Sequence, residues 1–209
     1  MTDRNLVDLT VSEFIEEVAS DKPAPGGGSV SALGGALGAA LAVLVGKATV
    51  GKEKFVDVQE EMEKVVSRGT DLHQRLNKMV DEDTNAFNQI LKAYRMSKDE
   101  PEVRSTAIQQ ALQGAAEVPL EVAKLSFEAL DLILAVAERG NKNAITDAGV
   151  AALFADSAIR GAIFNVKINI LSIKDEEVKS KFKREIEEVL IQLDSKREAI
   201  VKVVEAELT

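Results

Sequence analysis

The sequence predicts an all-α protein, a single helical bundle spanning residues 1–209 with a central Gly/Ala-rich helix surrounded by other helices. Three observations carry this expectation. No stretch alternates apolar and polar residues over the length of a strand. Apolar residues instead recur at three-four spacing through most of the chain, the period of one helix face. Residues 23–41, PAPGGGSVSALGGALGAAL, are small enough to let neighbouring helices approach closely. With 209 residues, 45% of them hydrophobic, the chain can bury one sizeable core.

Taken in order, Thr10 followed by Glu13 forms a capping-box signature for a short first helix through about Ala19, which Pro23 and Pro25 end. The triple glycine Gly26, Gly27, Gly28 then opens the small-residue helix, with Ser29 able to cap it. The uncharged run over residues 24–46 has the length to span a bilayer. Its glycine, alanine and serine content, its missing aromatic belt and its Pro-Gly start identify it as a buried core helix instead. From residue 53 to about 96 a stripe runs through Val58, Met62, Val65, Gly69, Leu72, Leu76 and Met79, then Asp83, Ala86, Ile90 and Ala93. Ser97 and Glu100, with Pro101 just inside, start the next helix; Pro119 should kink or interrupt it, and Gly140 closes it. Thr146 or Asp147 would cap the following helix, which runs to about Ile173. The last, over 175–208, is amphipathic with a charged outer face.

Composition removes several function classes. There is no cysteine and one histidine, His73, so disulfides, thiolate nucleophiles and Cys/His zinc sites are absent and carboxylates and amides are left to do chemistry. No Glu-x-x-His pair offers a di-iron site, so no metal and no cofactor is expected. Acids outnumber Lys and Arg by 35 to 26, a net charge of −9, which argues against nucleic acid; with one Tyr and no Trp, stacking on single strands is poorly served too. The glycines follow no strand and complete neither G-x-G-x-x-G nor a P-loop. The N-terminal MTDRNLVDLT has no apolar core of a secretory signal, so the expected place is the cytoplasm, away from any membrane.

Chemistry is to be sought where a residue is out of place. Asp83 falls on the apolar stripe, where packing would select Leu, and a buried carboxylate is costly unless paired, hydrogen-bonded or used. Burial should raise its pKa toward the range in which it both takes and gives a proton; the other possibility is a wet bundle edge or a structural ion pair. Asp81 and Glu82 belong to a solvated face. Asn165 and Asn169 continue the face of Ala151, Ala155, Ala158 and Ala162, either as paired donors and acceptors for a heterocycle or as interhelical hydrogen-bond partners. The free amides opening the glycine-rich helix would receive an anion or carbonyl of a ligand. Lys52 and Lys54, with Lys47, either steer an anionic substrate or form a solvated helix end; Asn141 and Asn143 have the character of turn residues.

Five segments in order, LTVSEFIEEVAS, PAPGGGSVSALGGALGAALA with GKEKF behind it, VDEDTNAF, GNKNAITDAGVAAL and FNVKINI, cover nearly the whole chain. Together they resemble the cyclodeaminase domain of formiminotransferase-cyclodeaminase and the free-standing methenyltetrahydrofolate cyclohydrolases related to it. The resemblance implies a helical homodimer acting on one-carbon tetrahydrofolate derivatives without metal or nucleotide, and it puts the family's catalytic aspartate on Asp83. Two activities follow from it: cyclodeamination of 5-formiminotetrahydrofolate to the 5,10-methenyl form, or hydrolysis of the 5,10-methenyl bridge to 10-formyltetrahydrofolate. The substrate-binding set expected beside it is Gly26, Gly27, Gly28, Ser29, Lys52, Asn141, Asn165 and Asn169, with Lys52 and Lys54 meeting the glutamate tail of a polyglutamylated substrate. A chain of this length has no room for a formiminotransferase domain, which tips the expectation toward the cyclohydrolase. A folate-binding or scaffold module without catalysis is the alternative.

Overall fold

The computed structural model describes residues 4–209. Met1–Asp3, the start of the N-terminal stretch just considered for a signal, lie outside it. The described residues form six α-helices: α1 Val11–Val18, α2 Gly27–Thr49, α3 Gln59–Tyr94, α4 Pro101–Arg139, α5 Ile145–Ile170 and α6 Glu176–Glu207. No strand occurs among the described residues.

The middle position of α2 follows from its side chains. Gly35, Gly38, Ala32, Ala36, Ala39 and Ala42 are buried, and α3, α4 and α5 all pack against it. At Gly38 the approach is so close that an added Cβ would stand 3.0 Å from the Ala151 carbonyl oxygen of α5. A larger residue there has no room. Along α5 the matching face is Ala151, Ala155, Ala158 and Ala162, all but closed to solvent. The two helices run antiparallel, for Gly27 lies beside Asn165, Gly34 beside Phe154 and Ala158, and Gly38 beside Ala151 and Ala155. The α3 stripe is buried as its spacing demands, through Met62, Val65, Leu72, Leu76 and Met79. The α6 helix closes the outside of α4 and α5 with Phe182, Ile186, Val189, Leu193 and Ile200, and does not reach the middle of the bundle.

Helix ends show where local signals held. Thr10 and Glu13 form the full capping box of α1, and Asp175 caps α6 through the amides of Glu177 and Val178. Other ends differ from expectation. Gly26, not Ser29, occupies the N-cap of α2, and Ser29 turns inward from its first turn. Residues Glu53–Val58 make a 3₁₀ segment before α3 begins. Ser97 bonds with Asp99 instead of capping α4. The α5 helix starts at Ile145 after a 3₁₀ turn whose cap is Asn141, so neither Thr146 nor Asp147 caps it, and it ends at Ile170.

Pro119 breaks nothing: α4 continues through it from Pro101 to Arg139. A proline inside a helix orphans the carbonyl four residues back, here that of Ala115. The Nδ2 of Asn169, reaching over from α5, donates to that oxygen at 2.7 Å. The long α4 and the amide on α5 therefore explain each other. Replacing Asn169 by Ala should lower stability by about 1–3 kcal/mol, the cost of an unpartnered buried polar group. In a Pro119→Ala background, where the helix supplies its own donor, most of that loss should vanish. Chemical denaturation of the four proteins in this cycle tests the coupling.

Candidate functional site

The N-terminus of α2 and the middle of α3 meet at Asp83. Ser29 Oγ, fully buried, donates to the Val80 carbonyl at 2.8 Å and stands 3.2 Å from Asp83 Oδ2 and 3.3 Å from Thr84 Oγ1. The Asp83 carboxylate fills the space a side chain at Gly28 would take: a Cβ there would lie 2.0 Å from Oδ1. Gly28 is thus required by a close approach. The oxyanion received by the first turn of α2 is the protein's own carboxylate.

Two opposing influences act on that carboxyl. Burial pushes it above the usual aspartate range, while the hydroxyl and backbone amide of Ser29 draw it partly back by favouring the ionised form. No charged residue is among the influences on it, and no salt bridge to it forms among the described residues. The structural ion pair left open by the sequence is therefore not what holds Asp83. Such a group can accept a proton and return it.

Asn165 adjoins the site from α5. Its Nδ2 donates to the Gly161 carbonyl at 2.9 Å, and a Cβ on Gly27 would stand 3.2 Å from that nitrogen. This bond turns the amide oxygen of Asn165 away from Gly161. Gly26 faces open space, with nothing within 4 Å of an added Cβ. Asp83, Gly26, Gly27, Gly28 and Asn165 accordingly share one end of the bundle.

The remaining candidates are elsewhere or otherwise engaged. Ser29 is buried and its hydroxyl is engaged with the Val80 carbonyl and Asp83. Asn169 is spent on Ala115. Asn141 donates to the Ala48 carbonyl and, through its backbone amide, to Thr49 Oγ1, while its side-chain oxygen accepts from Asn143. It lies at the C-terminal end of α2. Lys52 is exposed just beyond the same end. A 23-residue helix is about 35 Å long, so within one subunit neither residue reaches the Asp83 end. Lys52 follows the glycine-rich helix in sequence, and a straight helix carries it away from the motif; Asn141 is bonded to the same far end through Ala48 and Thr49.

Two participants escaped the sequence reading. Thr84 completes the hydroxyl cluster, and its position beside Asp83 was the available signal. Asp81, expected on a solvated face, accepts the backbone amides of Leu6 at 2.6 Å and Val7 at 3.4 Å. It thereby ties the N-terminal segment to α3 next to the site. The bond spans 75 residues and leaves no local trace.

The fold is a helical bundle that presents one half-buried, hydrogen-bonded carboxylate, Asp83, at a helix N-terminus. The formiminotransferase-cyclodeaminase family model matches residues 10–188, and the chain belongs to that family. The methenyltetrahydrofolate cyclohydrolase of Methylorubrum extorquens is 36% identical over 202 residues, covering 95% of this chain and 97% of the relative. The formimidoyltransferase-cyclodeaminase of Rattus norvegicus is 32% identical over 207 residues, which are 98% of this chain and only 38% of that longer protein. The crystal structure of formiminotetrahydrofolate cyclodeaminase from Thermotoga maritima superposes with a TM-score of 0.89 at 32% identity, covering 96% of this chain and 98% of that one.

Proposed function

We propose that the protein is a one-carbon folate enzyme, a 5,10-methenyltetrahydrofolate cyclohydrolase in which Asp83 is the acid–base group. The supporting observation is the Asp83 carboxyl, half-buried against Gly28 and bonded by Ser29 with no cation beside it. Water adds to the methenyl carbon as Asp83 takes one of its protons. Asp83 then gives that proton to N5 as the carbon–N5 bond breaks, and the remaining hydroxyl proton leaves to solvent, which yields 10-formyltetrahydrofolate. The reaction in this form uses no metal and no cofactor. Asn165, Gly26 and Gly27 form the polar rim against which the substrate would lie.

Cyclodeamination of 5-formiminotetrahydrofolate is the second reading, favoured by the Thermotoga match, which spans nearly the whole of both chains. That match removes chain length as a discriminator. Here N10 attacks the carbon of the protonated formimino group, Asp83 accepts the N10 proton and returns it to the amino nitrogen, and ammonia leaves as the cationic methenyl bridge forms. One carboxylate suffices for either route because both pass through a tetrahedral carbon flanked by nitrogen. Stopped-flow absorbance of the methenyl chromophore separates them. Loss of methenyltetrahydrofolate above the uncatalysed rate supports the cyclohydrolase, and conversion of the formimino compound alone supports the cyclodeaminase. Neither reaction above background would leave a folate-binding module.

We further propose that the working form is a homodimer in the cytoplasm. Val30, Leu37 and Leu44, seven residues apart on α2, are all exposed. On the antiparallel α5, Val150, Leu153, Phe154, Phe164 and Ile168 are exposed too, and Phe154 stands beside Gly34 of α2. Both helices thus leave apolar side chains in solvent of the kind a second copy covers. Although both are long and apolar enough to cross a membrane, the most apolar part of α2 is mostly buried inside the bundle. Leu37→Glu should convert the dimer to monomer in light scattering at micromolar concentration; an unchanged mass would exclude this face.

A further inference from the structure

The Ser29 hydroxyl has a single proton and three oxygens within reach: Val80 O at 2.8 Å, Asp83 Oδ2 at 3.2 Å and Thr84 Oγ1 at 3.3 Å. It can serve them only in turn. An ionised Asp83 accepts hydrogen bonds, whereas a protonated one carries an O–H that needs an acceptor. A fixed cation would satisfy the first state and penalise the second. A hydroxyl satisfies both, because it donates when the carboxylate is charged and offers a lone pair when it is not.

The surroundings suit such a switch. Ser29 is fully buried at the first turn of α2, where the backbone holds its Cβ in place. The Val80 carbonyl lies inside α3, so it keeps its place in the helical ladder when Ser29 turns away. The groups against the Asp83 carboxyl are neutral, Gly28 and Ser29 from α2 and Thr84 by way of Ser29, with Asn165 of α5 beside Gly27; of the neighbouring carboxylates, Asp81 is held by the amides of Leu6 and Val7 and Glu82 is exposed. The carboxyl itself is kept in one place by the notch at Gly28.

We infer that Ser29, seconded by Thr84, is a positioning residue whose hydroxyl swings between the Val80 carbonyl and Asp83, so that Asp83 stays hydrogen-bonded in both protonation states of the catalytic cycle. This rests on Asp83 being the acid–base group of the reaction proposed above. The Thr84 hydroxyl, 3.3 Å from Ser29 Oγ, donates to Ser29 when Ser29 donates to Asp83.

Ser29→Ala removes only a hydroxyl and leaves no helical carbonyl unpaired, so the fold is kept. Two measurements follow. Titration of the Asp83 carboxyl by carbon NMR, comparing wild type with Asp83→Asn to assign the signal, should show its midpoint moving upward in Ser29→Ala. The methenyl assay should show kcat reduced about tenfold, as expected for a lost hydrogen bond to a charged group, with KM within twofold. That loss should shrink as pH rises and Asp83 regains its charge. Thr84→Val should act in the same direction more weakly, and Thr84→Ser should restore wild-type behaviour. An Asp83 titration indifferent to Ser29→Ala, or a kcat loss equal at all pH values, overturns the proposal. Wild-type protein inert toward both folates would sink the functional reading alone, since the NMR titration needs no substrate.

Discussion

Asp83→Asn should reduce turnover of methenyltetrahydrofolate by about a hundredfold to ten-thousandfold, the range for loss of a positioned general acid–base, while raising thermal stability at neutral pH. The amide keeps the shape of the carboxyl and can still accept from the Ser29 hydroxyl, but it can neither take the proton of the attacking water nor return one to the leaving nitrogen. The stability gain has the same origin. Burial raises the folded-state pKa of Asp83 above the ordinary aspartate value of 3.8. A raised acid favours the fold fully below the unfolded pKa, and this contribution is lost as pH rises through the folded pKa. At neutral pH the ionised group therefore costs stability that the neutral amide does not. In a chain of this size each kcal/mol recovered moves the melting temperature by roughly 2–4 °C. The difference in melting temperature between variant and wild type should narrow as pH is lowered toward 3.8. A variant that keeps its turnover removes Asp83 from the mechanism; one whose melting temperature falls at neutral pH shows that the carboxylate is structural.

Asp83 was legible because a 36-residue helix displays its register openly. With Leu72, Leu76 and Met79 on one side and Ala93 on the other, a carboxylate in that stripe stands out as the residue packing would not select. The glycine motif was legible as a place of close approach, though the group that approaches proved to be Asp83. Asn165 and Asn169 looked equivalent, four residues apart on one face, and are not. Their roles are assigned by what lies opposite: Gly27 for one, and for the other a carbonyl orphaned by Pro119 on another helix. Pattern within a segment cannot supply that. Lys52 shows the converse, since nearness in sequence to a motif at one end of α2 places it, within one subunit, at the other end of a rigid rod. What periodicity encodes is the face of each helix; what pairs with that face is decided by contacts between residues more than fifty positions apart.

Gly28→Ala should reduce turnover by about a hundredfold without unfolding the protein. Its Cβ would stand 2.0 Å from Asp83 Oδ1, 2.4 Å from Cγ and 2.5 Å from Oδ2, so the whole carboxyl must move aside. What moves is the end of a side chain and not backbone, and alanine is the better helix former by up to about 1 kcal/mol. Folding is therefore spared, but a catalytic group misplaced by about 1 Å can cost two orders of magnitude. Gly26→Ala is the matched control, because nothing lies within 4 Å of its added methyl. Any rise in KM in that variant, with kcat unchanged, would register the substrate occupying the space beside the N-cap. Gly27→Ala lies between the two, its methyl 3.2 Å from Asn165 Nδ2, and should raise KM more than it lowers kcat. Steady-state constants for the three alanine variants, measured with the methenyl chromophore beside circular dichroism of each, thus map three adjacent glycines onto three different demands. Equal effects at all three would mean that only the flexibility of the loop matters. A graded series with Gly28 far the most sensitive in kcat would show that the glycine is there to admit the carboxylate.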